Sequence, residues 1–191
     1  MEIKDGGILI IAAPRVGGTN LMKSIGSAYN KETCFEPDLI NKSLTFDSSN
    51  NVVKIIPFWF SHLDIDYEDI YKKILDESKK FKTIILLDRK NKQEQIESLY
   101  VLKMYYGTNV RVKWKDEFID KNSNEYNICK RYINALINVL QRLSNDLNLP
   151  IDYYEDVYKN KSLINKNIKL DLEYFKPKYK LRQEIKPKRL V

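Results

Sequence analysis

Ile8-Leu9-Ile10-Ile11-Ala12-Ala13 is apolar at every position and is cut off by Pro14 and then by the pair Gly17-Gly18. An uninterrupted apolar run ended by turn formers is the pattern of a strand buried on both faces rather than one with a wet face. Behind the glycines, Leu21, Met22, Ile25 and Ala28 fall at helical spacing. Strand, glycine loop and helix therefore open the chain. A strand covered on both sides requires helices above and below its sheet.

The rest of the chain repeats that alternation. Val52-Val53-Lys54-Ile55-Ile56, stopped by Pro57, predicts a second strand, and Thr83-Ile84-Ile85-Leu86-Leu87 a third with the polar end Asp88-Arg89-Lys90. Pro150-Ile151-Asp152-Tyr153-Tyr154 predicts a short last one. Between them, Ile70, Ile74 and Leu75 predict a helix over 66–80, with Asp66 as N-cap and Asp69 at the capping-box position. Asn91, three residues before Glu94, caps a helix carrying Ile96, Leu99, Leu102 and Tyr106. Ile128, Leu136, Val139, Leu140, Leu143 and Leu147 form the stripe of a long helix over 123–147. The expected fold class is α/β: three layers, α/β/α, around a central parallel sheet with right-handed crossovers.

At 191 residues the chain fits a single domain over 1–191 with a core that needs no staple. Cys34 and Cys129 stand in unrelated contexts, without a second Cys or His at ligand spacing, so neither a disulfide framework nor a metal site is expected. In a parallel sheet, ligands bind beyond the carboxyl ends of the strands. Residues just after each strand are therefore the candidates for function.

Pro14-Arg15-Val16-Gly17-Gly18-Thr19-Asn20 occupies such a place. Amide N–H groups at a helix start, aided by the helix dipole, favour an anion, and glycines let the backbone approach phosphate oxygens closely. Thr19 adds a hydroxyl donor and Arg15 a cation. A magnesium-dependent Walker loop is not expected, since no Gly-Lys-Ser/Thr follows.

The segment Ala12 to Leu21 resembles the 5′-phosphosulfate loop of the sulfotransferases that use 3′-phosphoadenosine 5′-phosphosulfate (PAPS). Pro14, Arg15, Gly17 and Thr19 match, whereas Val16 and Gly18 replace two family hydroxyls and leave their amides for binding. The segment Asp88 to Leu99 resembles the bacterial trehalose sulfotransferase group, with Lys92, Gln95, Ser98 and Leu99 matching and Asn91 in place of an Asp. The resemblance implies a P-loop NTPase-like fold and a PAPS site. In it Arg15, Val16, Gly17, Gly18, Thr19 and Asn20 hold the phosphosulfate, and Arg89 with Ser98 holds the 3′-phosphate. Arg182, within the basic C-terminal segment 176–191, falls where the family folds a loop over that phosphate.

Thr33-Cys34-Phe35-Glu36-Pro37-Asp38 resembles the Glu-Pro segment of the same group, which implies Glu36 as the general base. Lys54 resembles the active-site Lys of cytosolic sulfotransferases, whose base follows two residues later. Here that position is Ile56, and the chain's one histidine, His62, is the other candidate base. Asp152-Tyr153-Tyr154-Glu155-Asp156-Val157 resembles a Tyr-Glu-Asp-Leu segment after a late family strand and is read as a structural helix start. Arg15 and Lys54 would stabilise charge on the leaving group, with no metal required.

A formal charge of +7 suits a polyanionic partner. The partners expected are PAPS and a hydroxyl acceptor, a carbohydrate or another small molecule, with neither nucleic acid nor membrane. The N-terminus lacks a basic region before an apolar run that is too short for a signal peptide or a membrane span, so a cytoplasmic protein is expected. The competing readings are a P-loop nucleotide kinase or phosphotransferase, which would need Mg²⁺ and a loop Lys, and a basic nucleic-acid-binding domain without enzymatic activity.

Overall fold

The structure, a computed structural model, describes residues 6–35, 49–58, 67–105 and 119–159. Its elements are β1 (Ile8–Ala12), α1 (Gly18–Tyr29), β2 (Thr33–Phe35), β3 (Val52–Ile55), α2 (Tyr67–Ser78), β4 (Thr83–Asp88), α3 (Lys92–Tyr105), α4 (Asn124–Leu147), β5 (Ile151–Tyr153) and α5 (Tyr154–Lys159). The strands form one sheet in the order β2-β3-β1-β4-β5, and every neighbouring pair is parallel. Central β1 is buried at each position, as an apolar run covered on both faces must be.

The handedness of parallel crossovers assigns the helices to layers. The connection from β1 to β2 runs one way along the sheet, and those from β3 to β4 and from β4 to β5 run the other way. Hence α1 lies on one face and α2, α3 and α4 on the opposite one. Helices α2 and α4 are clasped by a bidentate pair from Arg142 to Glu68, at 2.5 and 3.1 Å, and Arg142 stacks on the Tyr71 ring at 3.8 Å. Helix α4 starts at Ser123, whose hydroxyl accepts from the Tyr126 amide at 3.2 Å, and ends on Asn148 in the left-handed region, φ 50°.

Two local expectations are corrected. Ala28 is exposed on α1, so that helix's buried stripe ends with Leu21, Met22 and Ile25. Leu102 is exposed too, and α3 turns inward through Ile96, Leu99 and Tyr100. Strand β2 was not foreseen, because three residues with an exposed–intermediate–exposed pattern carry no period to detect. The Asp66 cap and Tyr106 lie outside the described residues.

Edge strand β5 carries a half-buried acid, Asp152, opposite Leu87. Burial pushes its carboxyl up to about 6, with Asp156 adding to the shift. A carboxyl whose folded pKa is raised stabilises the fold while protonated, and that contribution is lost as pH rises through the folded value. Asp152→Asn is therefore expected to melt at the same temperature as the wild type below pH 4 and at a higher one above pH 6, by scanning calorimetry across that range.

Candidate functional site

Strands β1 and β4 are neighbours, yet the chain leaves them in opposite directions, toward β2 and toward β5. Such a divergence opens a crevice beyond the carboxyl ends of the two strands. The loop 14–17 follows β1 and the turn 89–91 follows β4, so both expected anion cradles stand at this crevice.

Helix α1 has glycine at its N-cap, so no N-cap side chain closes the helix start, the kind of terminus at which backbone amides can meet an anion. Gly17 is left-handed at φ 75°, and Arg15 shares that region at φ 64°. For a side chain with a Cβ this costs about 1–2 kcal/mol, strain that folds tolerate at functional positions. Val16 is buried, so its contribution to the loop is an amide and an apolar anchor, while Thr19 is half-buried in the first turn of α1. Buried Asn20 accepts from the Ser24 hydroxyl at 3.3 Å.

Two contacts bind this loop to α3. The Arg15 Nε donates to Ser98 Oγ at 2.8 Å. Fully buried Gln95 donates from Nε2 to the Pro14 carbonyl at 3.0 Å. Residues of the two sequence motifs thus meet in space, through Arg15 and Ser98. A third contact comes from α5: the Tyr158 hydroxyl donates to the Gly17 carbonyl at 2.8 Å, and its ring lies against Gly17.

Lys54 enters the same place from β3. It is 4% exposed, pairs in register with Ile10 and Phe35, and lies over the Phe35 ring at 4.9 Å. Its stem crosses Gly18, where an added Cβ would lie 3.0 Å from both Lys54 Cε and Ala12 Cβ. The absence of a side chain at Gly18 is what lets a lysine from another strand approach the loop, in place of the loop lysine that this sequence lacks.

The β4–α3 turn is built differently. Asn91 caps α3, accepting from the Glu94 amide at 3.1 Å while its own amide group donates to Glu94 Oε2 at 3.2 Å. Glu155 of α5 accepts from the Lys90 and Asn91 amides at 2.9 and 3.1 Å. Burial raises the Glu155 carboxyl, but those two amides together with Arg89 outweigh it and hold the pKa below the ordinary range. Arg89 is 12% exposed, pairs with Glu94 at 2.5 Å and with Glu155 at 3.7 Å, and stacks on Tyr154 at 5.0 Å. Its buried Nε makes no hydrogen bond among the described residues.

Glu36, His62 and Arg182 lie outside the described residues, as do the aromatic residues Trp59, Phe60 and Trp114. Sequence reasoning missed Glu155 and Tyr158 as parts of the site, since their partners are 65 and 141 positions away. Gln95 was visible as a motif match without a role. Among the described residues, no cluster of His, Cys, Asp and Glu could hold a metal ion, and no helix is long and apolar enough to cross a membrane. No family model, curated protein or solved structure matches the chain. The described residues define an α/β protein with one parallel five-stranded sheet, in which the loop 14–17 and the turn 89–91 follow the neighbouring strands β1 and β4.

Proposed function

We propose that this chain is a cytoplasmic, single-domain sulfotransferase that takes the sulfuryl group of PAPS and places it on an acceptor hydroxyl of a carbohydrate or another small molecule. The observation that carries the reading is the Arg15–Ser98 hydrogen bond at 2.8 Å, which joins residues of the two phosphate motifs at one crevice. The strand order β2-β3-β1-β4-β5, with a glycine loop leaving its central strand, supports a P-loop NTPase-like fold of the sulfotransferase type.

In this reading the amides of Val16, Gly17 and Gly18, with Thr19 and Asn20, receive the 5′-phosphosulfate, and Arg15 and Lys54 stabilise the negative charge that grows on the leaving phosphate oxygens. Ser98 and Arg89, joined by Arg182, hold the 3′-phosphate. Glu36 takes the acceptor proton, with His62 as the other candidate. The acceptor oxygen bonds to sulfur as the sulfur–oxygen bond to the phosphate breaks, and PAP leaves.

Titration calorimetry with 3′-phosphoadenosine 5′-phosphate (PAP) and with AMP tests the donor site. PAP is expected to bind at least about tenfold more tightly, one added charge-assisted phosphate contact of about 1.4 kcal/mol or more. Sulfuryl transfer from PAPS is expected to persist in EDTA. Equal affinity for the two nucleotides, or turnover of ATP that requires Mg²⁺, would replace this reading with a kinase-like one.

A further inference from the structure

Two carboxylates converge on the Arg89 guanidinium, and they are not equivalent. Glu155 is 17% exposed and fastened by two backbone amides. Glu94 is 52% exposed, and its contact with Arg89 is a direct 2.5 Å ion pair at the water-facing side. Among the described residues, the adjacent cations Lys90 and Lys92 are already paired, with Asp156 and Asp88. Among the described residues, a phosphate dianion approaching Arg89 therefore meets one positive and two negative groups unless a carboxylate withdraws. Glu94 is the one able to do so. Its carboxylate is half in water and is readily resolvated when it leaves the largely buried Arg89, and the α3 cap survives its departure, since the Glu94 amide stays bonded to Asn91 Oδ1.

We propose, on the donor reading above, that Glu94 is a specificity-determining residue: its carboxylate holds the position on Arg89 that the 3′-phosphate takes, and it is displaced when that phosphate binds. The exchange weakens the grip on nucleotides bearing a 3′-phosphate and leaves those without one untouched. Its consequence is easier release of PAP after transfer, since affinity differences within one site are expressed mainly in the off-rate.

The test is the binding of PAP and of AMP, at fixed ionic strength, to the wild type, Glu94→Gln, Arg89→Ala and the double variant. Gln is accepted at this capping position, and circular dichroism checks that α3 is kept. Glu94→Gln is expected to tighten PAP about fivefold, the equivalent of about 1 kcal/mol, to slow its release, and to move AMP less than about twofold. The gain is expected to vanish in the Arg89→Ala background. If PAP binds through Arg89 but Glu94→Gln brings no gain, or AMP gains equally, the displacement is overturned while the donor reading stands. If neither wild type nor variant binds PAP, both fall together.

Discussion

On the proposed sulfotransferase reading, Arg15→Ala is expected to lower sulfuryl transfer by about 10²–10³-fold, the usual effect of removing one preorganised group that meets charge developing in the transition state. Arg15 sits in the left-handed region at φ 64° and bonds to Ser98 across 83 positions of sequence, so the fold both strains this residue and fixes its direction. Arg15→Gly separates the two roles. Glycine relieves about 1 kcal/mol or more of backbone strain, which offsets the loss of the Ser98 hydrogen bond, itself worth about 1 kcal/mol. Urea unfolding of Arg15→Gly is therefore expected to lie within about 1 kcal/mol of the wild type, while steady-state transfer collapses as in Arg15→Ala. A variant that keeps more than a tenth of wild-type turnover would remove Arg15 from the chemistry.

Gly17→Ala is expected to cost about 2–5 kcal/mol, as about 1–2 kcal/mol of left-handed strain adds to the roughly 1–3 kcal/mol typical of overpacking. The added Cβ would lie 2.8 Å from Tyr158 Cε2 and 3.0 Å from its Cζ and hydroxyl oxygen. The ring has little freedom to retreat, being mostly buried and bonded through its hydroxyl to the same glycine's carbonyl. The steric share can be isolated. In a Tyr158→Ala background the same substitution should cost only the strain, about 1–2 kcal/mol, so the two changes should be non-additive in urea unfolding. Equal cost in both backgrounds would show that Tyr158 does not press on the loop.

Much of the scaffold was legible because its signals are local. The apolar run of β1, the stopped strands β3 and β4, and the period of α4 each lie within a single window of sequence. The carboxyl-end rule then directed attention to Arg15–Asn20 and to Arg89, and both segments stand at the β1–β4 crevice. Where local reading failed, tertiary packing decided. Ala28 and Leu102 have the right spacing, but their own positions on the helix are exposed. Strand β2 exists because β3 offers it an edge to pair with, a cause that lies outside its three residues.

The sequence by itself determined that a both-faces-buried strand empties into a glycine loop at a helix start, because apolar periodicity and the demands of φ are properties of neighbouring residues. Only the tertiary structure decided that Ser98 partners Arg15, that Lys54 reaches the loop over Gly18, and that Arg89 is held between Glu94 and Glu155. Most of those contacts join residues tens of positions apart, and even Glu94, five positions from Arg89, is turned toward it by the bend between β4 and α3. Charge and hydrogen-bond complementarity across such connections is set by where strand order and crossover handedness bring the elements, which no local pattern of residues encodes.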